Sequence, residues 1–439
     1  MRVLSLELNE LNFHYIKQYA DRGHLPNLAR LMQERDFVET DAGEAYPYLE
    51  PWIQWPTVYT GKDYAQHQIF RLGDIRYRDQ PQIWDYLESH GLSVGALSPM
   101  NASNRCTNPA FFLPDPWTHT TIVADARAKK LFGLLGAIVN NNASTDMSVA
   151  GFAKQIAPLA LPYLSSRSIA GYFRILPMAR KYKWAKAAFL DRLLSDLFVA
   201  LWQKHKPDYA SLFLNAGAHI QHHHTYDSKV YTGDKSNPAW YSTAATDGVD
   251  PLIFVYRVYD ELVGELMALK DTHVFITTGL SQTPNTRYHY QYRIVDFEGF
   301  FGQVGLKNVS IQPRMSRDFL LEFPSAEDAL AALPVLDKVR CAGKPVFNVE
   351  DRGETLFCQV AYFGPPEGLD DLVIDGVKGN WRNSFVLVSI ENAIHQATGY
   401  HIDTLATPSG DKRIALSEVF NRLCNAALQG RETLTRNAA

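Results

Sequence analysis

Short apolar strands and helices take turns along the first hundred residues, and that rhythm decides what kind of sheet this chain can build. Residues 2–8 are a compact apolar run, and residues 12–22 carry helical periodicity. Leu25-Pro26-Asn27-Leu28 introduces a further helix, with Pro near the first turn where its missing N–H costs nothing. Ile83–His90 reads as a helix stopped by Gly91, and Ser93–Leu97 as a strand. The rhythm resumes with a strand at Tyr209–Leu214, a helix from Pro251 to Leu269 and a strand at His273–Thr277. Strands separated by helices pair in parallel, so the expected fold is α/β, a three-layer α/β/α sandwich around a mostly parallel sheet. A chain of 439 residues, 46% hydrophobic, has ample material for that core.

Two stretches break the rhythm. Residues 125–205 keep helical periodicity through Gly and Pro interruptions and carry Arg167, Arg174, Arg180, Lys181, Lys183 and Lys186. They read as a helical insertion placed to act as a lid. Its basic face is either simply solvated or turned toward a membrane surface or an anionic substrate. Residues 313–380 read as a small α+β subdomain: a strand at Asp318–Phe323, a Ser-capped helix at Ser325–Leu336 and a strand at Thr355–Tyr362. The core is then 1–124 and 206–312. Residues 381–439 return to it through a helix near 388–397, Gly399-Tyr400-His401 and a last helix at 416–428.

Composition removes several function classes. A net charge of −4 argues against a nucleic-acid partner, which calls for a basic domain. Cys106, Cys341, Cys358 and Cys424 are scattered without CxxC spacing, as buried thiols are. No apolar run reaches the roughly 18 residues of a transmembrane helix, and no secretory signal opens the chain, so the expectation is a soluble, cytoplasmic protein.

Several blocks carry more specific information. The first strand runs into Glu7-Leu8-Asn9-Glu10-Leu11-Asn12, and Pro26-Asn27-Leu28 follows. Residues 48–69 read Tyr-Leu-Glu-Pro-Trp-Ile-Gln-Trp-Pro-Thr-Val-Tyr-Thr-Gly-Lys-Asp-Tyr-Ala-Gln-His-Gln-Ile. Later come Phe213-Leu214-Asn215-Ala216-Gly217-Ala218-His219, Ile276-Thr277-Thr278-Gly279-Leu280 and Gly399-Tyr400-His401. In order and spacing these blocks resemble the alkaline phosphatase superfamily, in its branch of type I phosphodiesterases, nucleotide pyrophosphatases and sulfatases.

The resemblance implies an alkaline phosphatase-like fold, a Thr, Ser or Cys that opens a helix as nucleophile, and two metal ions held by Asp and His. Against that pattern the nucleophile position falls on Pro51, and Glu7 takes the place of the first strand's metal-binding Asp. The Asp-x-x-x-His block keeps His219 but has Asn215 for its Asp. Gly279 and Leu280 stand where an Asp-His pair would hold the second metal, and His401 matches the closing Gly-x-His. An amide oxygen is a poor, uncharged zinc ligand. Two-metal phosphoryl chemistry needs cations about 4 Å apart. This chain is not expected to build that pair.

The replacements are themselves polar. In an open parallel sheet ligands bind beyond the carboxyl ends of the strands, so Glu7, Asn9, Glu10, Asn12, Glu50, Trp52, Gln54 and Trp55 are expected to line one crevice with His67, His219 and His401. Two Trp rings among Glu, Gln and Asn suit a sugar or another flat, hydroxyl-rich ligand, and the bland alternative is that each Trp packs its loop. Glu7 or Glu50 would act as base or carboxylate nucleophile, His219 as acid, and Asn215 or Gln54 as donor to a developing oxyanion. Arg71 would clamp a phosphate or make a surface ion pair. In His219-Ile220-Gln221-His222-His223-His224, His219 and His223 share a helix face at i, i+4, as metal-binding pairs often do. One divalent cation, zinc or manganese, on His219, His223 or His222, His401 and Glu7 is one expectation; no cation is the other. The functional expectation is a hydrolase or transferase for a phosphorylated, sulfated or glycosidic small molecule without the two-metal nucleophile. The alternative is a pseudoenzyme that binds a sugar-like or anionic ligand or serves as a scaffold.

Overall fold

The computed structural model describes residues 1–141, 149–314 and 317–438. Within the expected insertion, residues 142–148 and the side chain of Arg167 lie outside the described residues. Two compact units make up the chain. The first contains Met1–Val139, Met147–Pro284 and Ala393–Ala439, and the second contains Asn285–Asn392.

In the first unit, β1 (Arg2–Leu8), β2 (Asp36–Asp41), β3 (Val94–Leu97), β4 (Phe111–Leu113), β5 (Tyr209–Leu214) and β6 (Thr272–Thr277) join Thr398–Asp403 and Arg413–Ala415 in one sheet. Its order is Arg413–Ala415, β2, Thr398–Asp403, β6, β1, β5, β3, β4. β1 lies in the middle, parallel to both β5 and β6. Thr398–Asp403 runs antiparallel between β2 and β6, and the sheet is otherwise parallel.

Alternation along β1 sorts its side chains between two layers. Leu4, Leu6 and Leu8 face a core built with α1 (Phe13–Asp21), α2 (Pro26–Glu34) and the helices Ala185–His205, Ala216–His224 and Pro251–Met267. Val3 faces a second core under α3 (Pro51–Thr60), Ile83–Ser89 and Glu418–Ala438. Each fully buried Leu contributes about 1.5–3 kcal/mol, so the two apolar faces of β1 fix its register. The result is a three-layer α/β/α sandwich.

The helices begin where local chemistry allows. α2 and α3 each carry Pro at the first position, and Asp250 caps the helix at Pro251 through the amides of Leu252 and Ile253. α3 ends at Gly61, whose φ of 67° is left-handed. The segment expected as an insertion forms the helices Ala126–Asn141, Val149–Ala160, Ser166–Lys181 and Ala185–His205. No described helix is long and apolar enough to cross a membrane. All four cysteines are free thiols.

The second unit holds two four-stranded antiparallel sheets and the helices Phe297–Val304 and Ala326–Leu336. Ser325 caps the latter through the Asp328 amide. Its bounds, Asn285–Asn392, are wider than the 313–380 expected from sequence. The helix expected near 388–397 does not form. Phe385–Ile390 is a strand paired with Tyr290–Ile294, and Ala393–Gln396 is a strand paired with Ser281–Pro284. Val386, Val388 and Ile390 alternate in period two, and β-branched side chains favour a pleated surface once a partner strand is supplied.

Candidate functional site

Chemistry gathers at the turn that leaves β1. The Asn9 amide donates to Leu214 O and the Glu10 amide to Thr278 O, both at 3.0 Å, so the turn is tied to the ends of β5 and β6. Glu10 has φ of 57°, in the left-handed region. A residue with a Cβ gives up roughly 1–2 kcal/mol there, and such strain persists only where surrounding contacts impose it. They do so here. Gln221 Nε2 donates to Glu10 O at 2.8 Å, while its Oε1 accepts from the Asn12 amide at 3.1 Å and from Tyr256.

The Glu10 side chain is buried and meets two imidazoles. Its Oε2 lies 2.9 Å from His222 Nε2 and 3.0 Å from His395 Nε2, and the two nitrogens are 3.1 Å apart. Among the described residues, Glu10, His222 and His395 are the set of three such side chains whose ligand atoms all lie within 4.8 Å of one another. His222 comes from the helix Ala216–His224, which starts directly after β5, and His395 from the strand Ala393–Gln396.

A second layer holds each member. Gln282 Nε2 donates to Glu10 Oε2 at 2.6 Å, and Asn9 Nδ2 donates to Glu10 Oε1 at 2.8 Å. His222 Nδ1 meets the Ala393 carbonyl at 2.7 Å. His395 Nδ1 lies 3.4 Å from Glu50 Oε2. Burial by itself raises a carboxyl's pKa, but His395 and His222 beside Glu10 outweigh it and hold that carboxyl well below the usual range. The arrangement offers a buried carboxylate, two oriented imidazoles and ligand atoms able to hold a cation.

The residues singled out from sequence divide into three groups. Asn9 and Asn215 meet at the strand ends: Asn9 Nδ2 donates to Asn215 Oδ1 at 2.8 Å, and Trp55 Nε1 donates to Asn9 Oδ1 at 2.7 Å. Glu50 joins them through His395. Trp52 and Arg71 are half-buried, with Trp52 Nε1 donating to Phe70 O and the Arg71 guanidinium over the Phe70 ring.

A second group is sealed in the core. Gln54 and Trp55 are fully buried, and Gln54 Nε2 donates to Tyr48 O at 2.8 Å. His67 is fully buried, with Nε2 3.2 Å from Thr57 Oγ1 and Nδ1 accepting from the Ile69 amide; burial pushes its pKa down to about 4.

The third group concerns the expected cation site on Glu7, His219, His223 and His401, which the sheet divides between its faces. Glu7 points from β1 into the layer under α3, fully buried, and accepts from Tyr59 at 2.7 Å. Burial raises its pKa to about 8. His401 is fully buried in the same layer, against Phe275 and with Nδ1 2.9 Å from Thr277 Oγ1; burial takes its pKa to about 4. His219 and His223 lie on the helix Ala216–His224, which packs on the other layer, with ring centroids 4.8 Å apart. The structure therefore brings Glu10, His222 and His395 together in their place. Glu7 is the next-to-last residue of β1, and alternation turns it onto the α3 face of the sheet.

Glu10 and His395 were not expected as ligands. Glu10 could have been found from its position one past the strand-end Asn9, in a block already crowded with carboxylates and amides. His395 lay within a stretch read as helix. Ala393-Ile394-His395-Gln396 does not alternate, so no local signal marked it as a strand.

The sequence model of the type I phosphodiesterase / nucleotide pyrophosphatase family matches residues 3–381. Among solved structures, the chain is similar to phosphonoacetate hydrolase from Sinorhizobium meliloti 1021 in complex with phosphonoformate. That likeness has 12% identity, covers 97% of this chain and 96% of that one, and has a TM-score of 0.48. It is also similar to murine ectonucleotide pyrophosphatase / phosphodiesterase 5, at 9% identity, 97% and 95% coverage and a TM-score of 0.42. No curated protein sequence matches the chain.

Proposed function

The chain belongs to the type I phosphodiesterase / nucleotide pyrophosphatase family of the alkaline phosphatase superfamily, and we propose that it hydrolyses a phosphoric ester of a small molecule by direct attack of water at the Glu10–His222–His395 centre. The observation that carries this reading is the position of charge. α3 opens on Pro51, which has no group to attack with, and the two strand-end side chains Asn9 and Asn215 are neutral amides occupied with each other. Glu10 is the buried carboxylate at that strand end, and it faces two imidazoles.

Without a covalent nucleophile the ester is cleaved in one displacement: a water oxygen bonds to phosphorus and gives up a proton to a neighbouring base, while the P–O bond breaks with its electron pair on the leaving alcohol oxygen, which takes up a proton. Substrate would approach over Trp52 and Arg71, which are half-buried. The guanidinium suits a phosphoryl oxygen.

A ligand-binding role without turnover is the second reading. It is favoured by the Asn9–Asn215–Trp55 network, in which both ends of the Asn9 amide are engaged. A panel of aryl phosphodiester, aryl phosphate, aryl sulfate and aryl glycoside substrates separates the two. Turnover of the phosphodiester, lost in Glu10→Gln, is expected. A folded protein that turns over nothing on the panel would leave only the binding role.

A further inference from the structure

We propose that Glu10, His222 and His395 form a binding site for one first-row divalent cation, distinct from the ligand positions that the family resemblance assigns to Glu7, Asn215, His219 and His401. The inference concerns the centre named above and rests on that reading only for the ion's role in turnover; occupancy is measured separately.

His222 Nδ1 lies 2.7 Å from a carbonyl oxygen, a contact that an N–H makes and a bare nitrogen does not. His395 Nδ1 faces the Glu50 carboxylate at 3.4 Å, which favours a proton there too. A neutral imidazole protonated on Nδ1 has its lone pair on Nε2. Both Nε2 atoms point at Glu10 Oε2 and at each other. Three electron-pair donors at such separations repel unless positive charge sits among them. Either extra protons or a cation supplies it.

The spacing also fits a cation. The three donors form a nearly equilateral triangle with edges of 2.9, 3.0 and 3.1 Å. Bonds of about 2.1 Å meeting at right angles separate their donors by roughly 3.0 Å, whereas tetrahedral angles give about 3.4 Å. The edges match one face of an octahedron. Two histidines and one carboxylate on a face leave the remaining positions open for water or a substrate oxygen. The outer layer is also that of a metal site: a carbonyl and a carboxylate orient the two imidazoles, and two amide donors fix the ligating carboxylate. A cation so held would lower the pKa of bound water and polarise a phosphoryl oxygen.

The test uses the full chain, stripped with chelator and titrated calorimetrically with manganese chloride and with zinc chloride, with thermal melting in parallel. One equivalent should bind at micromolar or tighter affinity and raise the Tm. Glu10→Gln and His395→Gln should each weaken binding at least ~100-fold, and Glu50→Gln by roughly 10–100-fold. His219→Ala should leave one equivalent bound. Circular dichroism confirms that each variant is folded, and His222→Gln provides an independent ligand removal. No saturable binding up to millimolar cation, or unchanged affinity in Glu10→Gln and His395→Gln, would overturn the proposal in favour of a proton-filled cluster. Binding of one cation without turnover would sink the hydrolase reading and leave the site standing. Full turnover by protein shown to be cation-free would sink the cation's role in turnover and leave the hydrolase reading.

Discussion

Glu50 Oε2 lies 3.4 Å from Nδ1 of His395, across 345 positions of sequence, and so the helix that opens on Pro51 contributes a carboxylate to a histidine instead of a nucleophile to a substrate. Glu50 precedes α3 as its N-cap residue without making a side-chain cap bond. Its carboxylate is therefore not spent on the helix end. In Glu50→Ala, helix stability should change little while His395 loses its orienting partner. The expected outcome is a Tm within a few degrees of wild type and turnover reduced roughly 10–100-fold, with partial rescue in Glu50→Asp. A fall in Tm that accounts for the whole loss would mark Glu50 as structural.

Glu10 combines a left-handed backbone with a buried charged side chain. Glycine adopts that backbone freely, so Glu10→Gly should be more stable than Glu10→Ala by about 1 kcal/mol in chemical denaturation. Both should be inactive, because the carboxylate is gone. Equal stability of the two variants would show that the backbone at Glu10 carries no strain.

Glu7 predicts a pH dependence of stability. Its pKa is about 8 in the folded chain against an ordinary 4.5. A carboxyl whose pKa rises on folding lends stability in full below the ordinary value and loses it as pH climbs through the folded value. Between about pH 4.5 and pH 8 this one group should therefore erode stability by up to ~1.4 kcal/mol per pH unit. Denaturant melts at several pH values should show a shallower decline in Glu7→Gln than in wild type. Parallel profiles would mean that Glu7 is ionised in the folded protein.

Gly279 has φ of 71°, and a Cβ there would come within 3.1 Å of the Trp55 ring. Trp55 holds Asn9, and Asn9 holds Glu10. Gly279→Ala should cost about 1–2 kcal/mol from the backbone alone, and should also reduce turnover by moving Trp55. Its Tm and its activity should fall together. Wild-type activity in a destabilised Gly279→Ala would sever the path from Trp55 to the site.

What the sequence discloses follows the range of the interactions involved. β1 and β5 are legible because each is an apolar run bounded by polar residues, and α3 because Pro51 and Gly61 punctuate it. Asn9, Asn215 and Glu50 are visible as polar residues at strand ends or beside a helix opening. Ala393–Gln396 is not legible, because its pairing with Ser281–Pro284 is remote in sequence. His395 is hidden with it. Nor does period-two alternation announce itself when a strand is buried on both faces: Glu7 reads as a strand-end residue until the register with Thr277 and Phe213 turns it toward Tyr59.

Anomalous diffraction from a manganese-loaded crystal tests the single-centre account most directly. The predicted result is one peak at bonding distance from Glu10 Oε2, His222 Nε2 and His395 Nε2, with no second peak about 4 Å away. A peak against His219 or His401 instead, or a pair of peaks at that spacing, would contradict it.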